Sequence, residues 1–201
     1  MKQRLDPSVT ILQGINSKVK KNPKTVVFAD GEDENTLKAA IAFKNGGLGT
    51  PIIVAKENVV KQRLKEIGYG ENLDIKIVNS TDKKLRHKYV KFLFKKMHRE
   101  QGLLERDCDR LIRNDRVIWA SCMVATGDAD AMVTGNTRRY SSSLEKIVKV
   151  VDPRQGEIMF GLNLVVNRGK TIFVCDTSVI EYPDANQLAE MAKSAARVVR
   201  L

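Results

Sequence analysis

Aromatic residues are scarce in this chain: six phenylalanines, four tyrosines and one tryptophan make up 5% of 201 residues. The core must therefore be mainly aliphatic, and little remains from which to build a stacking platform for single-stranded nucleic acid. Cysteine is sparse too. Cys108, Cys122 and Cys175 are odd in number, lie far apart and form no Cys-x-x-Cys. With only two histidines, His87 and His98, they make no zinc constellation, so no metal site is expected. Reduced thiols and a cytoplasmic location are the expectation. Long apolar runs are missing as well. The longest, Val117–Ala125, falls far short of the ~20 residues that cross a bilayer. The opening Met1-Lys-Gln-Arg-Leu-Asp-Pro7 lacks the apolar core of a secretory signal. No internal repeat or low-complexity segment stands out.

Positive charge is in excess: 35 Lys and Arg against 24 Asp and Glu give a net charge of +11. Nucleic acid, an anionic surface or a small anionic ligand would suit that balance. The basic residues are scattered rather than blocked, which fits a lysine-rich solvated surface instead. Lys84, Lys88, Lys91 and Lys95 fall on one helical stripe, expected to be a solvated face. Cys122 and Trp119 read as core residues, and Cys108 as more exposed.

The order of patterns carries more information. A helix is expected from Pro7 to Lys20 behind Asp6, with Ile11, Leu12, Ile15 and Val19 on one side. Apolar runs at Thr25–Ala29, Pro51–Val54, Asp74–Val78 and Asp130–Thr134 read as strands. Helical patterns lie between them: one after Glu34 that stops at Gly46-Gly47, then Glu57–Ile67, Asp82–Glu100, Arg106–Arg113 and Arg116–Ala125. This rhythm means an α/β protein, a Rossmann-like three-layer parallel sheet. After a helix at Ser141–Val151 the rhythm changes at Asp152-Pro153. Strands at Ile158–Val166 and Thr171–Cys175, joined through Asn167-Arg168-Gly169, and a helix after Pro183-Asp184 read as the start of a second, smaller α/β domain. The division expected is residues 1–152, with 1–22 as N-terminal helix and linker, and an incomplete second domain at 153–201.

Parallel sheets take ligands at the carboxyl ends of their strands. Two polar stretches fall there. Gly135, Asn136, Thr137, Arg138, Arg139, Tyr140, Ser141 and Ser142 follow the fourth strand. Backbone amides, a glycine and a helix start make a natural anion site, two arginines can fork to phosphate, and one serine is expected to cap the helix. The same residues also suit a polar turn with solvated arginines, and local chemistry leaves both readings open. Asp30, Gly31 and Glu32, with Asp33 and Glu34, follow the first strand; they read as a cleft-lining loop or as acids favoured at a helix start.

Several linked motifs point to one family. Asp115–Val124 followed by Gly127–Gly135, the Phe28-Ala-Asp-Gly-Glu-Asp-Glu34 loop, and Asp176-Thr-Ser-Val179 with Pro183–Glu190 resemble the phosphate acetyl/butyryl transferase family. The forms Arg106-Asp-Cys-Asp-Arg-Leu111 and Thr137-Arg-Arg-Tyr-Ser141 look most like the transferase-like C-terminal domain of bacterial NADP-dependent malic enzymes. The resemblance implies an acyl-CoA ligand, acetyl-CoA, in a cleft between two domains lined by Gly135–Ser142. It also implies homo-oligomers, with NADP and a divalent metal confined to a separate catalytic half. Nucleic acid and membrane are not expected partners.

Two departures from the family's pattern bear on catalysis. Active transferases carry Thr-Leu-Arg-Pro where this chain has Ser143-Leu-Glu-Lys146, and Arg-Lys-x-Lys-Gly where it has His98-Arg-Glu-Gln-Gly102. Acyl transfer to phosphate needs positive charge on the phosphate and the developing oxyanion. The family's loop bearing a catalytic serine and aspartate comes after the last helix, beyond these residues. A regulatory module that binds acetyl-CoA without turning it over is therefore the expectation, with a fragment of an active transferase as the alternative.

Overall fold

A computed structural model describes residues 7–69, 74–167, 170–176 and 178–200, with the backbone alone for 7–12, 99 and 100. Asp6, the Arg168-Gly169 turn, Thr177 and the side chains of Arg99 and Glu100 therefore lie outside the described residues. Two compact units are present. One is Val19–Asp152; the other groups helix α1 (Pro7–Lys21) up to Lys18 with the residues from Pro153 on.

The larger unit is built on four parallel strands in the order β3-β2-β1-β4: β1 (Lys24–Phe28), β2 (Gly49–Val54), β3 (Lys76–Val78) and β4 (Ala131–Val133). Val27 pairs with Ile52 on one side and Met132 on the other. The two central strands read as continuous apolar runs because both of their faces are covered. Strand alternation sorts their side chains into two cores. Phe28 and Ile53 pack with α2 (Glu34–Asn45) and α3 (Glu57–Glu66) through Leu37, Ile41, Val60 and Leu64. Val27, Ile52 and Val54 meet α4 (Lys83–Gln101), α5 (Glu105–Asn114) and α6 (Arg116–Ala125) on the other face. The three-layer α/β architecture expected from the sequence is the one observed.

The second core is centred on Trp119, 1% exposed, with the Tyr89 ring edge-on at 5.0 Å and 88°. The Tyr89 hydroxyl donates to Asp128 at 2.9 Å. Cys108 lies in the same core with no exposure, so the expectation of an exposed thiol there is corrected. The reason is the face of α5: Cys108 and Ile112, four residues apart, both turn inward. Burial pushes both buried thiols up, that of Cys122 to about 12, so neither is a poised nucleophile. The lysine stripe Lys84, Lys88, Lys91 and Lys95 is exposed, as a solvated face requires.

Aspartates set the helix boundaries. Asp33, Asp82 and Asp115 accept from amides of the first turns of α2, α4 and α6. Helix α7 (Tyr140–Val150) differs: its N-cap is Arg139, with no side-chain cap, so the capping serine expected there is not found.

In the other unit, β5 (Asn163–Asn167) and β6 (Lys170–Val174) form an antiparallel ribbon. The strand expected from Ile158 begins only at Asn163. Upstream, the Gly161 amide donates to the Asp176 carboxylate at 3.0 Å instead of to a neighbouring strand. Asp176 also accepts from the amides of Ser178, Val179 and Ile180. Helix α8 (Ala185–Val199) follows, with Asp184 and Gln187 forming a capping box. Ribbon residues Leu164, Val165 and Ile172 are exposed.

Gly31 shows how tightly the first unit closes around its strand ends. It is buried where β1 passes into α2, and a Cβ there would stand 2.2 Å from Ile53 Cγ2 and 3.0 Å from the Val54 carbonyl. Gly31→Ala is expected to destabilise the chain by about 1–3 kcal/mol. A urea midpoint equal to that of the unsubstituted chain would contradict this packing.

Candidate functional site

The carboxyl ends of β1 and β4 lie side by side, tied by the Ala29 amide donating to the Val133 carbonyl at 3.0 Å. Beyond them the chain reverses at Gly135, whose φ of 103° is a conformation that a side chain would strain. Asp30, only 3% exposed, sits at this junction. Its Oδ2 accepts from the amides of Gly135 at 3.0 Å and Asn136 at 3.3 Å, and from the Thr134 hydroxyl at 3.4 Å. Its Oδ1 accepts from the Thr137 hydroxyl at 2.6 Å. Asn136 reaches across with its side-chain amide to Asp33 and to the Thr36 hydroxyl. The sequence reading of these amides and hydroxyls as donors to a phosphate is thus met by a different arrangement. An internal carboxylate occupies the donors, because β1 and β4 are neighbours and the first residue after the β1 core is an aspartate.

A second carboxylate organises the arginine segment. Asp115 ends α5 and caps α6, accepting from the amides of Val117 at 2.9 Å and Ile118 at 3.4 Å. Its other oxygen meets Arg138 at 3.3 Å and Lys146 Nζ at 2.6 Å. Burial pushes the Asp115 carboxyl up. The Lys146 hydrogen bond, the charges of Arg138 and Lys146 and the capped amide outweigh it and hold the group below the ordinary carboxylate range. Arg138 is therefore an ion-pair partner before it is a ligand group. Sequence reasoning missed this role of Asp115. The visible signal was Asn114-Asp115 between two helical patterns, a capping aspartate where the chain turns.

The other expected residues fall around these two carboxylates. Glu32 pairs with Arg116 at 3.1 Å. Arg139 and Ser141 are exposed, Ser142 is half-buried, and Tyr140 is 54% exposed. Ser143 is buried, with a hydroxyl that has no partner among the described residues. Glu145 is largely exposed and held by Lys149 at 2.6 Å. Asp30, Glu32, Asp33 and Thr137 line an open surface groove of about 580 Å³ together with Arg63 and Arg116. No group of three metal-ligating side chains occurs among the described residues, and no helix among them is long and apolar enough to cross a membrane.

The chain is an α/β protein built on a parallel three-layer unit, and its fold matches solved phosphotransacetylase structures. It superposes on a phosphotransacetylase from Streptococcus pyogenes with a TM-score of 0.82, covering 96% of this chain and 59% of that one at 23% identity. The phosphate acetyl/butaryl transferase family model matches residues 10–201, and the chain belongs to that family. An NADP-dependent malic enzyme of Rhizobium meliloti is 39% identical over 98% of this chain. A phosphate acetyltransferase of Helicobacter pylori is 25% identical over 94% of it. The chain spans 26% of that malic enzyme's length and 36% of that acetyltransferase's.

The depressed acidity of Asp115 fixes a pH dependence. A carboxylate held below its ordinary value stabilises the fold fully above the unfolded pKa and loses that contribution as pH falls through the folded one. Asp115→Asn is expected to cost about 1–3 kcal/mol near neutrality. The gap to the unsubstituted chain should narrow as pH is taken below about 4. Urea denaturation at several pH values checks this, and a gap independent of pH would contradict the ion-pair assignment.

Proposed function

We propose that this chain is the transacetylase-type module of an NADP-dependent malic enzyme and that it binds acetyl-CoA as an effector rather than as a substrate. In that reading the whole protein converts malate to pyruvate and carbon dioxide. The cofactor and metal chemistry belongs to a separate catalytic half, and assembly is homo-oligomeric. The similarity of nearly the full chain to one quarter of a malic enzyme supports the parentage.

The observation that carries the non-catalytic part is the Arg138–Asp115–Lys146 cluster. Transfer of an acyl group to phosphate requires cations free to hold the phosphate and the developing oxyanion. Here Arg138 and Lys146 face the half-buried Asp115 carboxylate, and by the resemblance the position of the family's arginine carries Glu145. The amides of Gly135 and Asn136 point to Asp30. An anion approaching this edge meets Arg138 and Lys146 already paired, with Arg139 left to hold it, which supports binding without activation.

Arg139 is exposed and pairs with no carboxylate among the described residues. It is the residue to contact a phosphate of the coenzyme, with Tyr140 and Ser141 beside it. Regulation would then follow from a difference in affinity of the ligand for two arrangements of the parent protein, typically worth ~1–3 kcal/mol.

Calorimetric titration of the chain with acetyl-CoA is expected to show saturable binding, weakened about tenfold by Arg139→Ala. No acetyl phosphate should form when inorganic phosphate is added. Formation of acetyl phosphate above the uncatalysed background would establish the alternative, an active phosphate acetyltransferase. A folded chain that gives no binding heat would overturn the acetyl-CoA assignment.

A further inference from the structure

A second concavity lies in the same unit, on the β2–β3 side of the sheet's carboxyl edge. It encloses about 300 Å³ between the end of β2, the end of β3 and the junction of α5 with α6. That volume is at the small end of ligand pockets. Its inner wall is apolar, with Val54, Ile112 and Trp119. Neither Asp30 nor any residue of the Gly135–Ser142 loop lines it.

The polar groups around this pocket are mostly donors. The two carboxylates in its wall are paired: Glu32 by Arg116 of the same wall, and Asp115 by Arg138 and Lys146 from outside it. Arg113 pairs with Asp109 at 3.0 Å, but Asp109 also serves Arg86 at 3.3 Å, so one carboxylate answers two guanidiniums. The Lys56 ammonium has no carboxylate partner among the described residues. Asn79 uses its side-chain oxygen on the Thr81 amide at 2.7 Å, which leaves its NH₂ as a donor. Trp119 Nε1–H is fully buried and has no acceptor among the described residues. A buried donor without an acceptor costs about 1–3 kcal/mol. Helix α3 starts at the rim with Lys56 as N-cap and no side-chain oxygen on its first-turn amides.

We infer that this pocket binds a compact organic acid. Its carboxylate is taken by Lys56 and Arg113, and its carbon skeleton lies against Ile112 and the Trp119 ring. The chemistry follows from the lining. A wall that offers donors and positive charge selects a ligand made of acceptors. The apolar wall favours an organic body over a bare inorganic ion. The pocket shares Glu32 and Arg116 with the groove beside Asp30 but none of the strand-end loop assigned to acetyl-CoA, and it does not depend on that assignment.

The chain has one tryptophan, and it forms part of this pocket, so its emission reports on the site directly. Titration with succinate and with citrate at constant ionic strength is expected to give a saturable change in Trp119 fluorescence for at least one of them. Lys56→Gln and Arg113→Gln, both substitutions of exposed side chains, should each weaken it about tenfold, while Arg139→Ala leaves it unchanged. Inorganic phosphate should produce a weaker response. No saturable response to either acid, equal affinity in both pocket variants, or phosphate binding as tightly as the acids would each overturn the proposal. Loss of acetyl-CoA binding in Arg139→Ala with the fluorescence response intact would separate this site from the other.

Discussion

One carboxylate, Asp30, joins the two halves of the sheet's carboxyl edge. It sits at the end of the central strand β1 and accepts from groups more than a hundred positions away in the chain, on the loop after β4. Its burial demands those partners, because a buried charge without hydrogen bonds would be expensive. The conformation of Gly135, the side-chain amide of Asn136 bridging to Asp33, and the entry into α7 all lie downstream of that requirement. The loop after β4 is shaped from inside the protein before any ligand arrives.

Asp115 extends the same logic to the arginine segment. It ends one helix, starts the next and holds Arg138 and Lys146, which belong to a different part of the chain. The net charge of +11 therefore says little about charge at the strand ends. Much of it is on solvated helix faces such as the stripe from Lys84 to Lys95. At the edge of the sheet positive and negative groups are paired. The local surplus appears instead around Lys56 and Arg113, beside the only tryptophan.

The division of residues between two cores follows simply from strand geometry. Val27 and Phe28 are adjacent in sequence yet face opposite helical layers. Trp119, Tyr89 and Asp128 connect α6, α4 and the turn before β4 into one packed group. That group fixes the α5–α6 junction, and with it both Asp115 and the wall of the second pocket.

Periodicity, capping aspartates and β-branched runs were enough to read the α/β class, the order of strands and helices and the strand-end location of the candidate site. Those signals are local: a helix or strand announces itself within a dozen residues. Pairings between distant residues carry no such signature. Asp30 read as cleft lining or as part of an acidic helix start, Arg138 as a phosphate ligand or a solvated arginine, and Cys108 as a more exposed thiol. The surroundings of each depend on groups far apart in the chain: Asp30 and Arg138 meet internal partners, and Cys108 is packed into the core. The sequence by itself determined which donors and charges this protein has; only the tertiary structure decided which of them remain open to a ligand, because burial obliges each charge to find its counterpart inside.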